Sequence, residues 1–212
     1  MCELEHELGE EGGESLVSRC PRVILIRGLP GSGKSTIAQE LVSLLGNASL
    51  LDPDHIDYSG FEYNDFVSGL QQRLPSLDSK YFPYRFLLHK ARLALTKGED
   101  IIWCQPFSDQ EGLFNTIETL RNYASEMNSR LDITIIDVEV DPNTAFNRVS
   151  ARRSNGGHGL DEESFRDFVD HFSYLRGYSL PRDCHYLFIS GEGDLLENAQ
   201  IIYGTILGRK EK

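Results

Sequence analysis

The sequence predicts a three-layer α/β/α domain on a mostly parallel, five-stranded sheet, and three observations carry that expectation. Short β-branched and aliphatic runs alternate with segments whose apolar residues recur at helical spacing, as in strands covered on both faces by helices. A glycine-rich turn joins the first strand run directly to the first helical segment. The chain of 212 residues suits one domain with a substantial core.

Residues 1–20 carry Glu3, Glu5, Glu7, Glu10, Glu11 and Glu14 with Gly12 and Gly13. They read as a solvated tail, the alternative being an arm that folds over a neighbouring site. Residues 21–212 read as one domain without internal repeat or dividing linker. Val23 to Ile26 is a buried strand by composition. Ile37, Leu41, Leu44 and Leu45 then mark a helix closed by Gly46. Leu50 and Leu51 suggest a second strand ending at Asp52. The aromatic-rich stretch from Tyr58 to Phe86 carries no clear period. A helix from about Tyr84 to Thr96 precedes Gly98, and Ile101 to Trp103 is the third strand.

Phe114, Ile117, Leu120 and Ala124 mark the next helix, and Ile133 to Val140 is the longest strand signal. Asp141 and Pro142 stand where an N-cap and a first helical residue belong. Phe165, Phe168, Val169 and Phe172 have amphipathic spacing. His185 to Ser190 reads as the last strand, and Leu195 to Ile206 as a closing helix.

Composition excludes some classes. The net charge of −12 argues against a nucleic-acid partner, which usually meets a basic face. No apolar run reaches the roughly 18 residues of a membrane span, and the acidic start lacks the apolar core of an export signal. Cys2, Cys20, Cys104 and Cys184 form neither a CxxC pair nor a dense framework, so a reducing cytoplasm is the expected setting.

The most specific signal is Gly28-Leu29-Pro30-Gly31-Ser32-Gly33-Lys34-Ser35. It satisfies G-x-x-x-x-G-K-[ST] between a strand and a helix, the context that the phosphate-binding P-loop requires. The glycines let successive N–H groups converge on phosphate oxygens, and the helix start adds its positive end. Lys34 reaches the β- and γ-phosphates, Ser35 is placed to ligate Mg²⁺, and Thr36 adds a contact to the α-phosphate. The expected fold is therefore a P-loop NTPase of the nucleotide-kinase type, with ATP or GTP and Mg²⁺ as cofactors.

A P-loop alone permits GTPases, motors and transporters as well. The base-reading N/T-K-x-D of GTPases and the LSGGQ of transporters are both absent. In parallel α/β sheets ligands gather at the carboxyl ends of the strands. Asp52-Pro53-Asp54 follows the second strand there, where a carboxylate can take the proton of an attacking hydroxyl. Asp54 is the candidate base, and Asp52 supports it or joins Ser35 at the metal. An Asp- and Pro-rich turn is the bland alternative. Arg148 and Arg152 are four apart and share a helix face. With Arg153 and the glycines that follow, they could close over a transferring phosphate as a lid. A solvated basic helix end is the alternative.

GLPGSGKST, DPD, a long helix ending in KGED, and RVSARRSNGGHG before an amphipathic helix resemble the zeta-toxin family of P-loop kinases. They also resemble the wider polynucleotide-kinase-like group, through most of residues 21–175. The resemblance implies transfer of a γ-phosphate to a small-molecule acceptor, a nucleotide sugar in zeta toxins, and an antitoxin-like protein partner. It carries over Lys34 on the phosphates, Asp54 as base, and Arg148 with Arg152 or Arg153 as charge stabilisers. Residues 58–96 become the acceptor-side region and 148–160 the lid.

One departure stands out. The family's acidic residue after the third strand is replaced by Trp103-Cys104-Gln105, and a thiol is a poor ligand for a hard cation. Either Ser35, phosphates and waters hold Mg²⁺ with Asp52 nearby, or the acceptor is bound differently, with Gln105 and Ser108 available to it. The aromatics from Tyr58 to Phe86 read first as core packing and second as an acceptor-stacking surface. His158 reads as an exposed loop histidine. Two other functions stay open: a polynucleotide 5′-hydroxyl kinase, and a nucleotide-binding switch or ATPase without acceptor chemistry.

Overall fold

The computed structural model describes residues 20–176, 180, 181 and 183–208. The expected acidic tail lies, up to residue 19, outside the described residues. Five strands of these residues form one sheet: β1 (Arg22–Arg27), β2 (Ala48–Leu51), β3 (Asp100–Cys104), β4 (Asp132–Glu139) and β5 (His185–Ser190). Their order is β2-β3-β1-β4-β5, and every pairing is parallel. Among the described residues seven helices cover it: α1 (Lys34–Leu45), α2 (Phe61–Arg73), α3 (Phe82–Thr96), α4 (Gln110–Glu126), α5 (Pro142–Ser154), α6 (Glu162–Asp170) and α7 (Leu195–Leu207).

The continuous apolar runs of β1, β3 and β4 are explained by the layers. Val23, Leu25, Ile101, Trp103, Ile133 and Ile135 face α3 and α4 in one core. Their neighbours Ile24, Ile26, Ile102, Ile136 and Val138 face α1 and α7 in the other. A third, smaller cluster of Leu29, Ala145, Val149, Phe165 and Phe172 seats α5 and α6 beside the P-loop. Among the described residues no helix is long and apolar enough to cross a membrane.

The stretch without a clear period resolves into a 3₁₀ turn (Pro53–His55), α2, a second 3₁₀ turn (Ser79–Tyr81) and α3. It escaped a sequence reading because only Leu70 of α2 is buried, which leaves no stripe to detect. α3 starts at Phe82, two residues before the expected position, with Pro83 in its first turn. α6 ends at Asp170, so Phe172 lies outside the helix that its spacing suggested. The chain turns there to lay the Phe172 ring on the Arg27 guanidinium, 4.6 Å from its centroid.

Arg27 ties four segments together. Its Nη1 donates to Asp137 Oδ2 at 2.8 Å, its Nε and Nη2 to Phe107 O, and its Nη2 to Ser173 O at 2.6 Å. Arg27 is fully buried and Asp137 is 3% exposed. Burial pushes the arginine's pKa down and the aspartate's up, and their mutual attraction opposes both shifts. Removing one partner strands a buried charge, so Arg27→Met or Asp137→Leu alone should cost about 3–5 kcal/mol. The double variant should cost less than the sum of the two, measured by urea unfolding at constant m.

Candidate functional site

β1 is the central strand, and successive crossovers leave it in opposite directions: β2 and β3 on one side, β4 and β5 on the other. The loop after β1 therefore stands at the topological switch point, where the crossovers part and a crevice opens. That crevice is a cleft of about 700 Å³. Pro30, Gly31, Gly33, Lys34, Ser35 and Thr36 line it, together with Asp52, Asp54, Arg148 and Arg152. These residues are spread over 123 positions of sequence, and the parallel sheet gathers them at one end.

Two glycines have specific structural reasons. Gly31 has φ of 83°, and a β-carbon there would lie 2.3 Å from Ala145 O on α5. Gly33 caps α1 with φ of 98°, and a β-carbon there would meet Leu195 at 2.6 Å. Both combine a left-handed backbone with a close neighbour, which only glycine tolerates. Gly28 and Ser32 do not line the cleft. They shape the loop from beneath: Gly28 N donates to Pro106 O, and Ser32 is fully buried with no hydrogen-bond partner for its Oγ.

Lys34 is 8% exposed, and its Nζ donates to Leu29 O at 2.8 Å across the loop. Burial lowers its pKa, against the raising influence of the Asp52 and Asp54 carboxylates, while Arg152 lowers it further. An anion in the loop would restore what burial removes. Ser35 Oγ donates to Asp52 Oδ2 at 3.1 Å, so a hydroxyl and a carboxylate oxygen meet beside Lys34. Asp52 is 5% exposed and is also held by the backbone N–H of Asp54 and by His55 Nδ1 at 3.3 Å.

Cys104 Sγ lies 3.7 Å from Ser35 Oγ. Burial first, then Asp52, pushes its pKa up to about 12, so the group stays a thiol at neutral pH. Among the described residues no group of three or more His, Cys, Asp or Glu could cage a metal ion. The donor set fits Mg²⁺ bound by one hydroxyl, one carboxylate, phosphate oxygens and water, as this cation prefers when it arrives with a nucleotide.

Asp54 stands in the 3₁₀ turn after β2 and faces His158, with Nε2 3.2 Å from Oδ2. This contact bridges the strand-end turn and the α5–α6 loop. Sequence reading gave His158 no role, because nothing in its local pattern reports a partner 104 residues away. Arg148 is half-buried and its Nη1 donates to Gly31 O and Gly191 O, at 3.3 and 2.7 Å. Arg152 follows on the same face. Arg153 lies about 100° further round the helix; it is exposed and does not line the cleft.

Of the eight aromatics between Tyr58 and Phe86, only Tyr84 lines the cleft. Tyr58, Tyr63, Phe66 and Phe86 pack edge to face among themselves, and Trp103 is core, 1% exposed. Trp103 Nε1 donates to Gln105 Oε1 at 3.0 Å, which fixes that amide on the cleft wall. Ser108 lies outside the cleft. Its carbonyl accepts from Ser173 N.

The fold has counterparts among solved structures. It is similar to a gluconokinase from Sinorhizobium meliloti 1021 (TM-score 0.52, 14% identity, 91% of this chain and 99% of that one). It is similar as well to the Deinococcus radiodurans tunicamycin resistance protein (TM-score 0.53, 16% identity, 91% and 98%). A deoxyadenosine kinase from M. mycoides aligns comparably (TM-score 0.52, 18% identity, 89% and 100%). No curated protein sequence matches the chain. Residues 23–175 match the family model described as an AAA domain, which is most of the chain; the protein belongs to the AAA domain family.

Proposed function

We propose that this protein is a phosphotransferase that moves the γ-phosphate of ATP or GTP to a hydroxyl of a small acceptor. The observation that supports the reading is that Asp54, Arg148 and Arg152 line one cleft together with the P-loop lysine. The loop amides and Lys34 hold the donor's phosphates. Ser35 and Asp52 would hold the Mg²⁺ that comes with it, which would neutralise phosphate charge. The acceptor oxygen attacks the γ-phosphorus and its proton passes to Asp54; the bond to the β–γ bridging oxygen breaks, and the nucleoside diphosphate leaves with the electron pair. Arg152 sets its charge against the transferring group, and His158 holds the Asp54 carboxylate toward the cleft.

The finer reading, a zeta-toxin-like transfer to a nucleotide sugar, is supported by the order of motifs along the chain. It requires cations beside the acceptor's diphosphate.

The test is incubation with γ-labelled ATP, Mg²⁺ and acceptor mixtures. Label in an acid-stable product other than inorganic phosphate supports the reading; nucleotide binding without any such product contradicts it. Within it, Arg152→Ala should lower kcat by about 10²-fold and change KM for ATP by less than about threefold. Equal losses in binding alone would remove Arg152 from the transfer step.

A further inference from the structure

The aromatic stretch after β2 touches the turn that carries Asp54, although of its rings only Tyr84 lines the cleft. Tyr58 Oη donates to Pro53 O at 3.0 Å. That carbonyl belongs to the peptide unit joining Pro53 to Asp54. The N–H of the same unit, on Asp54, donates to Asp52 Oδ1 at 2.9 Å. A peptide unit is planar, so gripping it by both its oxygen and its hydrogen fixes its tilt. The ring of Pro53 restricts the dihedral before it, and Ile56 N closes the 3₁₀ turn onto the same oxygen at 3.3 Å. The direction in which the Asp54 side chain leaves the backbone follows from that tilt.

Tyr58 is itself held by other rings. It meets Tyr63 edge to face with centroids 5.1 Å apart, and Tyr63 meets Phe86 in the same way at 5.2 Å. These are separations at which aromatic rings attract one another. Phe86 is 6% exposed, and its helix neighbours Leu87, Ala91 and Leu95 belong to the core against the sheet. The link between Tyr58 and α2 is closed as well: Ser59 N and Oγ donate to Asp57 Oδ1 at 3.1 and 2.7 Å, and Gly60 N to Asp57 O at 3.0 Å. A row of rings thus runs from a helix seated on the sheet to the turn of the candidate base. Tyr58 is 48% exposed, so its ring adds little to the core.

We infer that Tyr58 is a positioning residue for phosphate transfer: its phenol fixes the Pro53–Asp54 peptide and thereby aims the Asp54 carboxylate at the attacking hydroxyl. The inference rests on the phosphotransferase reading above. Asp52 holds the N–H of Asp54, His158 faces its carboxylate, and Tyr58 holds the carbonyl before it. Tyr58 does not line the cleft, so it acts through Asp54. A base that is free to tilt loses rate and not donor affinity, because proton transfer needs a short, aligned contact.

The test is Tyr58→Phe, which keeps the ring and removes only the hydroxyl, taken in a cycle with Asp54→Asn. Label transfer from γ-labelled Mg-ATP to a deproteinised metabolite extract is measured for wild type, both single variants and the double variant. Tyr58→Phe should lower the rate at saturating ATP about five- to tenfold. KM for ATP and the calorimetric Kd for Mg-ATP should stay within about twofold of wild type. Beside Asp54→Asn the same substitution should change the residual rate by less than about twofold, since the group it aims is already gone. A wild-type rate in Tyr58→Phe would show that water replaces the phenol, and overturns the inference. A loss that persists in full beside Asp54→Asn, or that is matched by a weaker Kd for Mg-ATP, overturns it too; all three outcomes leave the phosphotransferase reading standing. Failure of the wild type to form any acid-stable labelled product, with ATP bound or hydrolysed, overturns both.

Discussion

Lys34→Ala should reduce kcat/KM for phosphate transfer by on the order of 10³-fold or more, with a clear loss of nucleotide affinity. The reason lies in the burial of the ammonium. Lys34 is 8% exposed and has Leu29 O as its close partner, so it is held at the bottom of the loop where β- and γ-phosphate oxygens converge. No neighbour can substitute, because Arg148 is engaged by Gly31 and Gly191 and Arg152 is an exposed side chain with no hold on the loop. Steady-state kinetics with calorimetric titration of Mg-ATP check this. Wild-type affinity in the variant would remove the lysine from the donor site. Lys34→Arg should not restore activity, because the pocket that encloses a single Nζ leaves little volume for a planar guanidinium.

Asp54→Asn should cut acceptor phosphorylation by about 10²–10⁴-fold while leaving the Kd for Mg-ATP within about threefold of wild type. The carboxylate sits on a short turn outside the P-loop, held by His158 rather than by any group that would touch the donor. The amide keeps the shape and removes the proton acceptor. Asp52→Asn should behave differently. Asp52 accepts from Ser35 Oγ, so its loss should raise the Mg²⁺ concentration needed for half-maximal rate. A Mg²⁺ titration of both variants separates the two roles, and matching profiles would show that the carboxylates act as one unit.

The strand and helix order was legible because both faces of the sheet are buried, so β1, β3 and β4 read as continuous apolar runs and their helices show stripes. The P-loop was legible because phosphate binding forces glycine, lysine and hydroxyl into eight consecutive positions. Asp52 and Asp54 were expected at the cleft by the rule that ligands collect at strand ends, and both line it; that rule depends on sheet direction and not on the side chains themselves. The rest is non-local. The His158–Asp54 contact, the Arg27–Asp137 clasp and the separation of Tyr84 from its seven aromatic neighbours all depend on how distant segments pack. Phe172 misled for a related reason: its spacing continued a helical stripe, but the cation beneath it at Arg27 drew it into a turn.

The guanidinium of Arg148 spans two carbonyls, one in the phosphate-gripping loop and one after the last strand, while Ala145 of the same helix abuts Gly31. α5 and the glycine-rich loop therefore turn on a single bearing. Displacing the helix and reshaping the loop become one mechanical event, so the two segments should loosen together and not separately.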